Sequence, residues 1–285
     1  MGGHMNSALT NRRSDTAVEP ASLAGLGSRD EPTVMQVSRV CRLSDRLLLL
    51  AFRRVDGLDF TFHPGQFCRV AVPAAAGYVW RSYSIATPAH EGGASDTCEI
   101  AVTAMPGGLA TDYLFALRTG DHVRVSGPFG RLVLPREDPA HYVLIGTGTG
   151  MAPFRAMLPE LDRRAAVRPF QVTILMGIRA PAERLYHADF VRFAECAPGA
   201  RRLFISYSRE MPTEPTRFES VGYVQDLLRN ISLDPERDRV MLCGNPNMID
   251  DCSAFLMERG FEKTRLLREK YLPGPRHAQA PGSQR

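Results

Sequence analysis

The sequence predicts a two-domain fold, in which an antiparallel β-barrel is followed by an α/β domain built on a parallel sheet. The chain has 285 residues, which is enough for two separate cores. From residue 34 onward, short strands are separated by glycine and proline turns, the spacing typical of a small closed barrel. After residues 135–139, buried strands alternate strictly with helices, as in a parallel sheet that is covered on both faces.

These patterns divide the chain into four segments. Residues 1–31 are rich in Ser, Ala, Arg, Asp and Pro and predict a flexible leader, whose first five residues are typical of a cloning remnant. Residues 32–137 are expected to form the barrel domain and residues 138–272 the α/β domain. Residues 273–285 are rich in Pro and Gly and predict a C-terminal tail.

The composition is that of an ordinary soluble globular protein, with 44% hydrophobic and 23% charged residues. The net charge of +4 is too small to predict a nucleic-acid partner, but it suits an acidic protein. No apolar stretch approaches the roughly 20 residues that a membrane span needs, so no membrane association is expected. The six cysteines have neither metal-site nor disulfide-framework spacing. We therefore expect a protein of the reducing cytoplasm, without a metal site.

The barrel domain is predicted to hold six strands and one helix. Residues 98–102 alternate between apolar and polar or small side chains, as in a half-buried antiparallel strand. The pair Gly107-Gly108 opens the helix Leu109–Leu117, with Thr111 in its first turn, and offers N–H groups to a phosphate. A tight turn that simply needs glycine is the alternative. The predicted strands are Val34–Arg42, Arg46–Arg53, Phe67–Val72, Val79–Ala86, Cys98–Met105 and His122–Ser126.

The stretch Trp80–Ala86 is the first candidate ligand site. Its extended pattern puts Arg81 and Tyr83 on one face of the strand and Ser84 on the other. Arg81 can bind a phosphate while Tyr83 lies against a planar ring, and a flavin nucleotide offers both groups. Ser84 would reach such a ring only at its edge or through its backbone N–H. A barrel strand with a surface arginine and a half-buried tyrosine explains the same residues equally well.

The α/β domain is predicted to contain four strand–helix units and a final extended segment. In its first helix Phe154, Met157, Leu158 and Leu161 recur at helical spacing, and Asn245 is a good N-cap for its last helix. The predicted strands are Tyr142–Ile145, Phe170–Met176, Leu203–Tyr207 and Val240–Cys243, followed by an edge strand within Arg265–Leu272. The predicted helices are Pro153–Leu161, Glu183–Glu195, Gly222–Ile231 and Pro246–Arg259.

The ends of these strands carry residues that suit a second nucleotide. The first strand runs into G-T-G-T-G-M-A-P at residues 146–153, whose small residues let a pyrophosphate approach a helix N-terminus. This pattern is not the G-x-G-x-x-G dinucleotide fingerprint. Arg179 and Arg209 follow the next two strands, where ligands of parallel sheets gather, although each could be a solvated surface charge. Cys243, before Gly244, either faces the same crevice or is a buried structural cysteine.

Eight motifs follow one another along the chain, and the resemblance that they carry covers residues 33–272: R-S-Y-S, G-G-x-x-T, G-D, G-P-F-G, G-T-G-T-G-M-A-P, G-x-R, S-R-E and C-G-N-P-x-M. In this order they resemble the ferredoxin/flavodoxin–NADP(+) reductase family, most of all its bacterial type. The resemblance implies an FAD-binding barrel over residues 32–137 and an NADP-binding domain over residues 138–272. FAD and NADP(H) are therefore the expected cofactors.

The resemblance also implies roles for individual residues, with Arg81 on the FAD pyrophosphate, Tyr83 on the isoalloxazine and Ser84 near its N5. The residues expected to bind FAD are Arg81, Ser82, Tyr83, Ser84, Gly107, Gly108 and Thr111. Those expected to bind NADP(H) are Gly148, Thr149, Gly150, Arg179, Ser208, Arg209, Arg217, Gly244 and Asn245, with Ser208 and Arg209 on the 2′-phosphate. The expected catalytic residues are Ser84, Cys243, Glu269 and Tyr271, with Cys243 beside the nicotinamide.

The sequence departs from the family pattern at two places. Tyr223 stands where many bacterial relatives carry an arginine for the 2′-phosphate, and Arg179 and Arg217 are the candidates to replace it. The family often ends at or soon after an aromatic residue that covers the flavin, whereas here Tyr271 is followed by the tail. Tyr271 either stacks on the flavin and gates the nicotinamide, or plugs the barrel edge. The tail would lie across the adenosine end of the flavin or stay disordered.

The activity that the resemblance implies is hydride transfer from NADPH to FAD, followed by transfer of single electrons to a ferredoxin or flavodoxin. The reverse direction is equally compatible with the sequence, and a monomer is expected. One alternative is the reductase component of an oxygenase system. An alternative of another class is a flavin-binding sensor or assembly subunit without turnover, which would not need the second nucleotide site.

Overall fold

The computed structural model describes residues 31–272, so the predicted tail and all but the last residue of the predicted leader lie outside the described part. Within that part, an antiparallel sheet is followed by a parallel one, and the predicted fold class is confirmed. The predicted domain boundary, after residue 137, falls in the connection between the two sheets. No helix within residues 31–272 is long and apolar enough to cross a lipid bilayer.

The first sheet closes into an antiparallel barrel. Over residues 31–137 the elements are β1 (Thr33–Ser44), β2 (Leu47–Arg54), β3 (Phe60–Thr61), β4 (Phe67–Ala74), β5 (Gly77–Ser84), β6 (Ala94–Ser95), β7 (Cys98–Thr103), α1 (Leu109–Ala116) and β8 (His122–Phe129). The strand order is β5-β4-β8-β1-β2-β7, and a bridge between Ile85 and Ile100 joins its two ends. Apolar side chains of alternating positions, such as Leu48 and Leu50, fill the interior.

The second sheet is parallel and carries helices on both faces. Over residues 138–272 the elements are β9 (His141–Thr147), α2 (Ala152–Val167), β10 (Gln171–Ile178), α3 (His187–Glu195), β11 (Arg201–Tyr207), β12 (Glu219–Val221), α4 (Val224–Arg229), β13 (Asp238–Gly244), α5 (Pro246–Glu258) and β14 (Leu266–Lys270). The strand order is β12-β11-β10-β9-β13-β14. On central β9, Tyr142 and Leu144 enter one core while Val143 and Ile145 enter the other. Strands buried on both faces explain the continuous apolar runs of the sequence.

Several helix boundaries differ from those predicted. The helix predicted from Glu183 begins only at His187, because a 3₁₀ turn, Pro181–Glu183, and a left-handed Tyr186 (φ 55°) precede it. The helix predicted to end at Leu161 runs on to Val167, because its last turns are also held: Arg164 is buried and bonded to Glu160, and Ala165 packs on the core. The helix predicted over Gly222–Ile231 is limited to Val224–Arg229.

Three short strands were not predicted. β3 and β6 pair only with each other, and β12 adds three residues to the edge of the parallel sheet. Segments of two or three residues cannot carry a recognisable alternation of apolar and polar side chains. The last strand behaves as predicted: β14 lies beside β13 at the sheet edge, and its end returns to the barrel.

Candidate functional site

A cavity of about 430 Å³ lies at the carboxyl edge of the parallel sheet. This is the edge at which open α/β sheets bind their ligands. Its walls come from both domains, because the barrel contributes Arg46, Leu47 and Thr103 and the α/β domain contributes the turns that follow its strands. Of the residues predicted for NADP(H), those that line the cavity are Gly148, Thr149, Arg179, Ser208, Gly244 and Asn245; Tyr271 also lines it.

The glycine turn connects β9 to α2 through a 3₁₀ turn, Gly148–Met151. Gly148 has a φ of 54°, and a Cβ built there would meet no atom within 4 Å. A Cβ on Gly150 would instead lie 2.3 Å from the carbonyl oxygen of Cys243. Gly148 therefore leaves open space for a ligand next to the N-terminus of α2, while Gly150 allows the turn to pack on β13. These features fit the pyrophosphate of a nicotinamide dinucleotide.

Gly244 and Asn245 shape the neighbouring strand end. Gly244 has a φ of 120°, and a Cβ there would lie 2.5 Å from Oγ1 of Thr147. The backbone N–H of Asn245 donates to that same Oγ1 at 2.9 Å. The Asn245 side chain accepts hydrogen bonds from the N–H groups of Asn247 and Met248, as the N-cap prediction required. Both residues thus bring β13 and the start of α5 against the cavity.

The predicted phosphate-binding arginines lie in different surroundings. Arg179 lines the cavity, where its Nε lies 3.9 Å from a carboxylate oxygen of Glu183. Arg209 is exposed beside it and donates its backbone N–H to the Arg179 carbonyl, but it is not part of the cavity wall. Arg217 does not reach the cavity: its guanidinium lies 3.2 Å from Glu195 of α3 and is 71% exposed. The structure therefore brings Arg179 to the ligand space and keeps Arg217 away from it.

Ser84, Glu269 and Tyr271 meet where the barrel touches the α/β domain. The Ser84 hydroxyl donates to Oε1 of Glu269 at 2.9 Å and lies 2.6 Å from the Tyr271 hydroxyl. Because Ser84 has one hydroxyl hydrogen, Tyr271 is the donor in the second contact. Burial raises the pKa of Glu269 above its usual value, and the Ser84 hydrogen bond opposes that shift. Burial, with Cys243 and Glu269 nearby, also raises the pKa of Tyr271, so its hydroxyl keeps its proton.

Cys243 lies beneath Tyr271. Its side chain is fully buried in the core of the α/β domain and does not line the cavity, contrary to the expectation that it faces the crevice. Tyr271 packs against the same core, next to the Cys243 thiol. Burial, followed by the nearby Glu269, raises the pKa of the Cys243 thiol well above its usual value. Cys243 is therefore a neutral thiol that Tyr271 covers.

The residues predicted to bind FAD lie on the barrel. Arg81 is partly exposed and donates to the Trp80 carbonyl at 3.1 Å, while the Tyr83 ring packs on the barrel core. Ser82 is exposed and Ser84 buried. A partly exposed arginine and the edge of a packed tyrosine, two residues apart on one strand, fit a phosphate and a flat ring.

The helix predicted to receive a phosphate has part of its first turn already engaged. The Gly108 N–H donates to the Met105 carbonyl at 2.9 Å, and the Thr111 hydroxyl accepts from the Met105 N–H at 2.9 Å. Gly107 has a φ of 67°, and a Cβ on it would meet no atom within 4 Å. Thr111 therefore fixes the turn as an acceptor and keeps its hydroxyl hydrogen to donate, and the space at Gly107 fits a neighbouring phosphate.

Sequence reasoning missed the barrel's share of the cavity wall. Arg46 directly precedes β2, Leu47 is its first residue, and Thr103 pairs with Leu47 at the end of β7. No local motif marks these three residues, because only the packing of the two domains brings them to the cavity. Tyr223, noted in the sequence for the arginine it replaces, is 62% exposed and also lines the cavity.

Comparisons with known proteins agree with this arrangement. Residues 35–134 match the model of an oxidoreductase FAD-binding domain, and residues 144–254 that of an oxidoreductase NAD-binding domain. The chain is 33% identical over 226 residues to ferredoxin–NADP reductase B of Sorangium cellulosum, covering 77% of this chain and 88% of that protein. It is 32% identical over 251 residues to the reductase subunit of an aromatic O-demethylase from Amycolatopsis, covering 85% of this chain and 69% of that protein.

A solved structure shares the fold. The crystal structure of a ferredoxin NADP+ reductase from Neisseria gonorrhoeae with bound FAD and NADP has a TM-score of 0.71 and 24% identity, covering 84% of this chain and 98% of that chain. The protein is thus an oxidoreductase with an FAD-binding and a nicotinamide-nucleotide-binding domain. With a barrel and a parallel sheet in this order, and at this identity and coverage, the chain belongs to the ferredoxin–NADP reductase family.

Proposed function

We propose that this flavoenzyme oxidises NADPH and passes single electrons to a small acidic ferredoxin or flavodoxin. The observation that carries the proposal is the contact of Ser84 with Glu269 and Tyr271. This contact joins β5, the strand predicted to bind the flavin, to the nucleotide cavity. When bound, FAD accepts a hydride from the nicotinamide and releases electrons one at a time. The relatives include ferredoxin–NADP reductases, which supports an electron-transfer protein as the partner.

The residues of this chain would orient the two cofactors. Arg81 and Tyr83 would hold the phosphates and ring of FAD, and the turn at Gly148 would receive the nucleotide pyrophosphate. Glu269 would fix the Ser84 hydroxyl at the edge of the flavin. Tyr271, held by Ser84 and close to the Thr149 carbonyl at 3.4 Å, would have to leave its place for the nicotinamide.

Rapid mixing tests the proposal. The protein should purify yellow with about one FAD per chain, and anaerobic mixing with NADPH should bleach the flavin within seconds. Two equivalents of oxidised ferredoxin or flavodoxin, each accepting one electron, should then restore the colour. A protein that cannot be loaded with FAD would refute the proposal, and so would a flavin that NADPH and NADH leave oxidised. The second result would favour a flavin-binding sensor.

Cofactor preference depends on Arg209 in this proposal. Its exposed guanidinium has no ion-pair partner among residues 31–272, so it is free to reach a 2′-phosphate beside Ser208 and Arg179. Arg209→Ala should raise KM about 10- to 100-fold for NADPH, as expected for losing one charge-assisted hydrogen bond, and change KM for NADH little. Equal losses with the two nucleotides would contradict the assignment.

A second candidate is the reductase component of an oxygenase. Tyr223 in the cavity wall, in place of an arginine, weakens the case for NADPH, and the relatives include an aromatic O-demethylase reductase subunit. Faster flavin reduction by NADH than by NADPH, together with failure to reduce a ferredoxin or flavodoxin, would favour this candidate.

A further inference from the structure

A charge cluster centred on a buried carboxylate joins the two domains outside the nucleotide cavity. Its centre is Glu99 of β7, whose side chain is only 5% exposed. The carboxylate receives the guanidinium of Arg39 from the same domain. From the α/β domain it receives Nη1 of Arg155 at 2.9 Å and the hydroxyl of Tyr186 at 2.7 Å. A buried carboxylate with three donors is fully paired, so the cluster fixes its members in one arrangement.

Arg155 connects three separate segments. Its Nη1 donates to the Ala86 carbonyl at 2.9 Å as well as to Glu99, and its Nε donates to Asp189 of α3 at 2.7 Å. The guanidinium also lies over the Tyr186 ring, 4.1 Å from the ring centroid. A planar fork can make these contacts at the same time, which a lysine ammonium cannot reproduce.

The two ends of this link are close in sequence to the two cofactor sites. Ala86 is two residues after Ser84, at the end of the predicted flavin strand. Arg155 lies in the first turn of α2, the helix that directly follows the glycine turn Gly148–Met151. One guanidinium therefore ties the segment that carries Ser84 to the helix that carries the phosphate turn.

Apolar packing between the two domains around the cluster restricts the movement of one domain relative to the other. Leu47, Leu49 and Ala101 of the barrel form one apolar cluster with Ala152 and Leu185 of the α/β domain. Leu47 also lines the nucleotide cavity, so the same surface forms the domain contact and one cavity wall. A change in the angle between the domains would alter the separation of the two cofactor sites, while the strand ends and turns of the α/β domain that line most of the cavity would keep their arrangement.

We propose that Arg155, held by Glu99, is a positioning residue that sets the distance between the nicotinamide and the flavin. In the proposed transfer, the C4–H bond of NADPH would break with both its electrons and an N–H bond would form at N5 of bound FAD, so NADPH would be oxidised and FAD reduced. This inference rests on the proposed function. Neither Arg155 nor Glu99 lines the cavity, so they act through the alignment of the domains and not by contact with the nucleotide.

The test is Arg155→Lys, measured by rapid mixing with saturating NADPH under anaerobic conditions. Misplacement of reacting atoms by about 1 Å costs about 100-fold in rate, so a fall of about 10- to 100-fold is expected. The dissociation constant for NADP+ and the FAD content should stay within about twofold of the wild-type values. The long-wavelength absorbance band that forms when nicotinamide lies against flavin should weaken.

A matched control and a second variant complete the test. Arg192→Lys changes an arginine that is bonded to the same Asp189 at 3.5 Å but is 72% exposed, and it should behave as wild type. Glu99→Gln removes the carboxylate that Arg155 contacts, and it should slow hydride transfer in the same way. Without added nucleotide, both cluster variants should exchange amide hydrogens faster near Ala86 and at the start of α2.

The outcomes separate this inference from the proposed function. Wild-type protein that neither NADPH nor NADH reduces would refute the proposed function. If the wild type is reduced and the folded Arg155→Lys and Glu99→Gln proteins keep its rate within about twofold, the positioning role is refuted. An equal loss of NADP+ affinity and of rate would also refute it, because the cluster would then act on nucleotide binding.

Discussion

Tyr271 makes contacts that a nicotinamide ring would have to replace. Its hydroxyl bonds Ser84 at 2.6 Å, and its ring lines the cavity beside the glycine turn. Tyr271→Ser should tighten the binding of NADP+ and of NAD+ and reduce the preference for NADPH over NADH, with unchanged FAD content. Ring stacking is worth roughly 0.5–1.5 kcal/mol, so the change in the dissociation constant should be up to about tenfold.

Titration of both nucleotides into Tyr271→Ser and Tyr271→Phe measures this effect. The phenylalanine variant keeps the ring and loses only the hydroxyl, so it separates the ring from its hydrogen bonds. Wild-type affinity and preference in the serine variant would mean that Tyr271 closes the barrel edge and does not gate the site.

Glu269 makes stability depend on pH. Burial raises the pKa of its carboxyl in the folded protein, so the folded state favours the protonated form. The stability this group contributes is present below its unfolded pKa and is lost as pH rises through the folded pKa. Glu269→Gln should therefore gain stability relative to wild type as the pH rises from about 4 to about 8.

Denaturant unfolding of Glu269→Gln and wild type across this pH range checks the sign. The exposed Glu258→Gln, at the end of α5, corrects for the loss of one carboxylate from the surface. A difference in unfolding free energy that stays flat or falls with rising pH would contradict the raised pKa.

Within the glycine turn, two positions should respond differently to a methyl group. At Gly150 a Cβ would strike the Cys243 carbonyl, so Gly150→Ala should destabilise the fold by about 1–3 kcal/mol. At Gly148 the space is open, so Gly148→Ala should cost only the roughly 1 kcal/mol of a left-handed alanine. Its methyl would enter the ligand space and weaken nucleotide binding.

Thermal unfolding and NADP+ titration of the two variants test this contrast. The expected order is a larger loss of stability for Gly150→Ala and, among folded proteins, a clear loss of affinity for Gly148→Ala. The reverse order of stability would mean that the turn packs differently.

Elements that carry many buried residues were predictable, and those that depend on a turn were not. β9 and β10 contain the apolar runs Tyr142–Ile145 and Ile174–Met176 because both faces of the sheet are covered, and such runs are visible in a sequence. The start of α3 was wrong because the left-handed Tyr186 leaves no local signal. Its hydroxyl bonds Glu99, a contact between residues 87 positions apart.

Part of the candidate site could likewise be predicted from the sequence, and part of it could not. The glycine turn was recognisable because its residues are consecutive and their small size has a direct steric reason. Two features of the site depend on how distant elements pack. The barrel contributes Arg46, Leu47 and Thr103 to the cavity wall, and Arg217 contacts Glu195 instead of reaching the cavity. Side-chain contacts of that kind are set by the whole fold and leave no pattern of fixed spacing.

At the scale of the molecule, the net charge of +4 should speed encounters with an acidic carrier. Reduction of a ferredoxin or flavodoxin by the NADPH-reduced enzyme should slow as salt is added, because charges more than about 8 Å apart are screened at physiological ionic strength. The second-order rate constant measured across a salt series checks this. Reduction of an uncharged dye serves as the control, and equal salt dependence of the two would contradict electrostatic steering.

The contact between Ser84 and Tyr271 spans 187 positions of the chain and has a consequence for protein synthesis. The barrel is complete in sequence long before β14 leaves the ribosome, and domains generally fold as units during translation. A nascent chain can therefore fold its flavin domain while the strand that delivers Glu269 and Tyr271 is still unmade. The junction at which electrons would leave NADPH forms only when the last described strand takes its place at the sheet edge, so a chain truncated before Leu266 would carry a barrel without that junction.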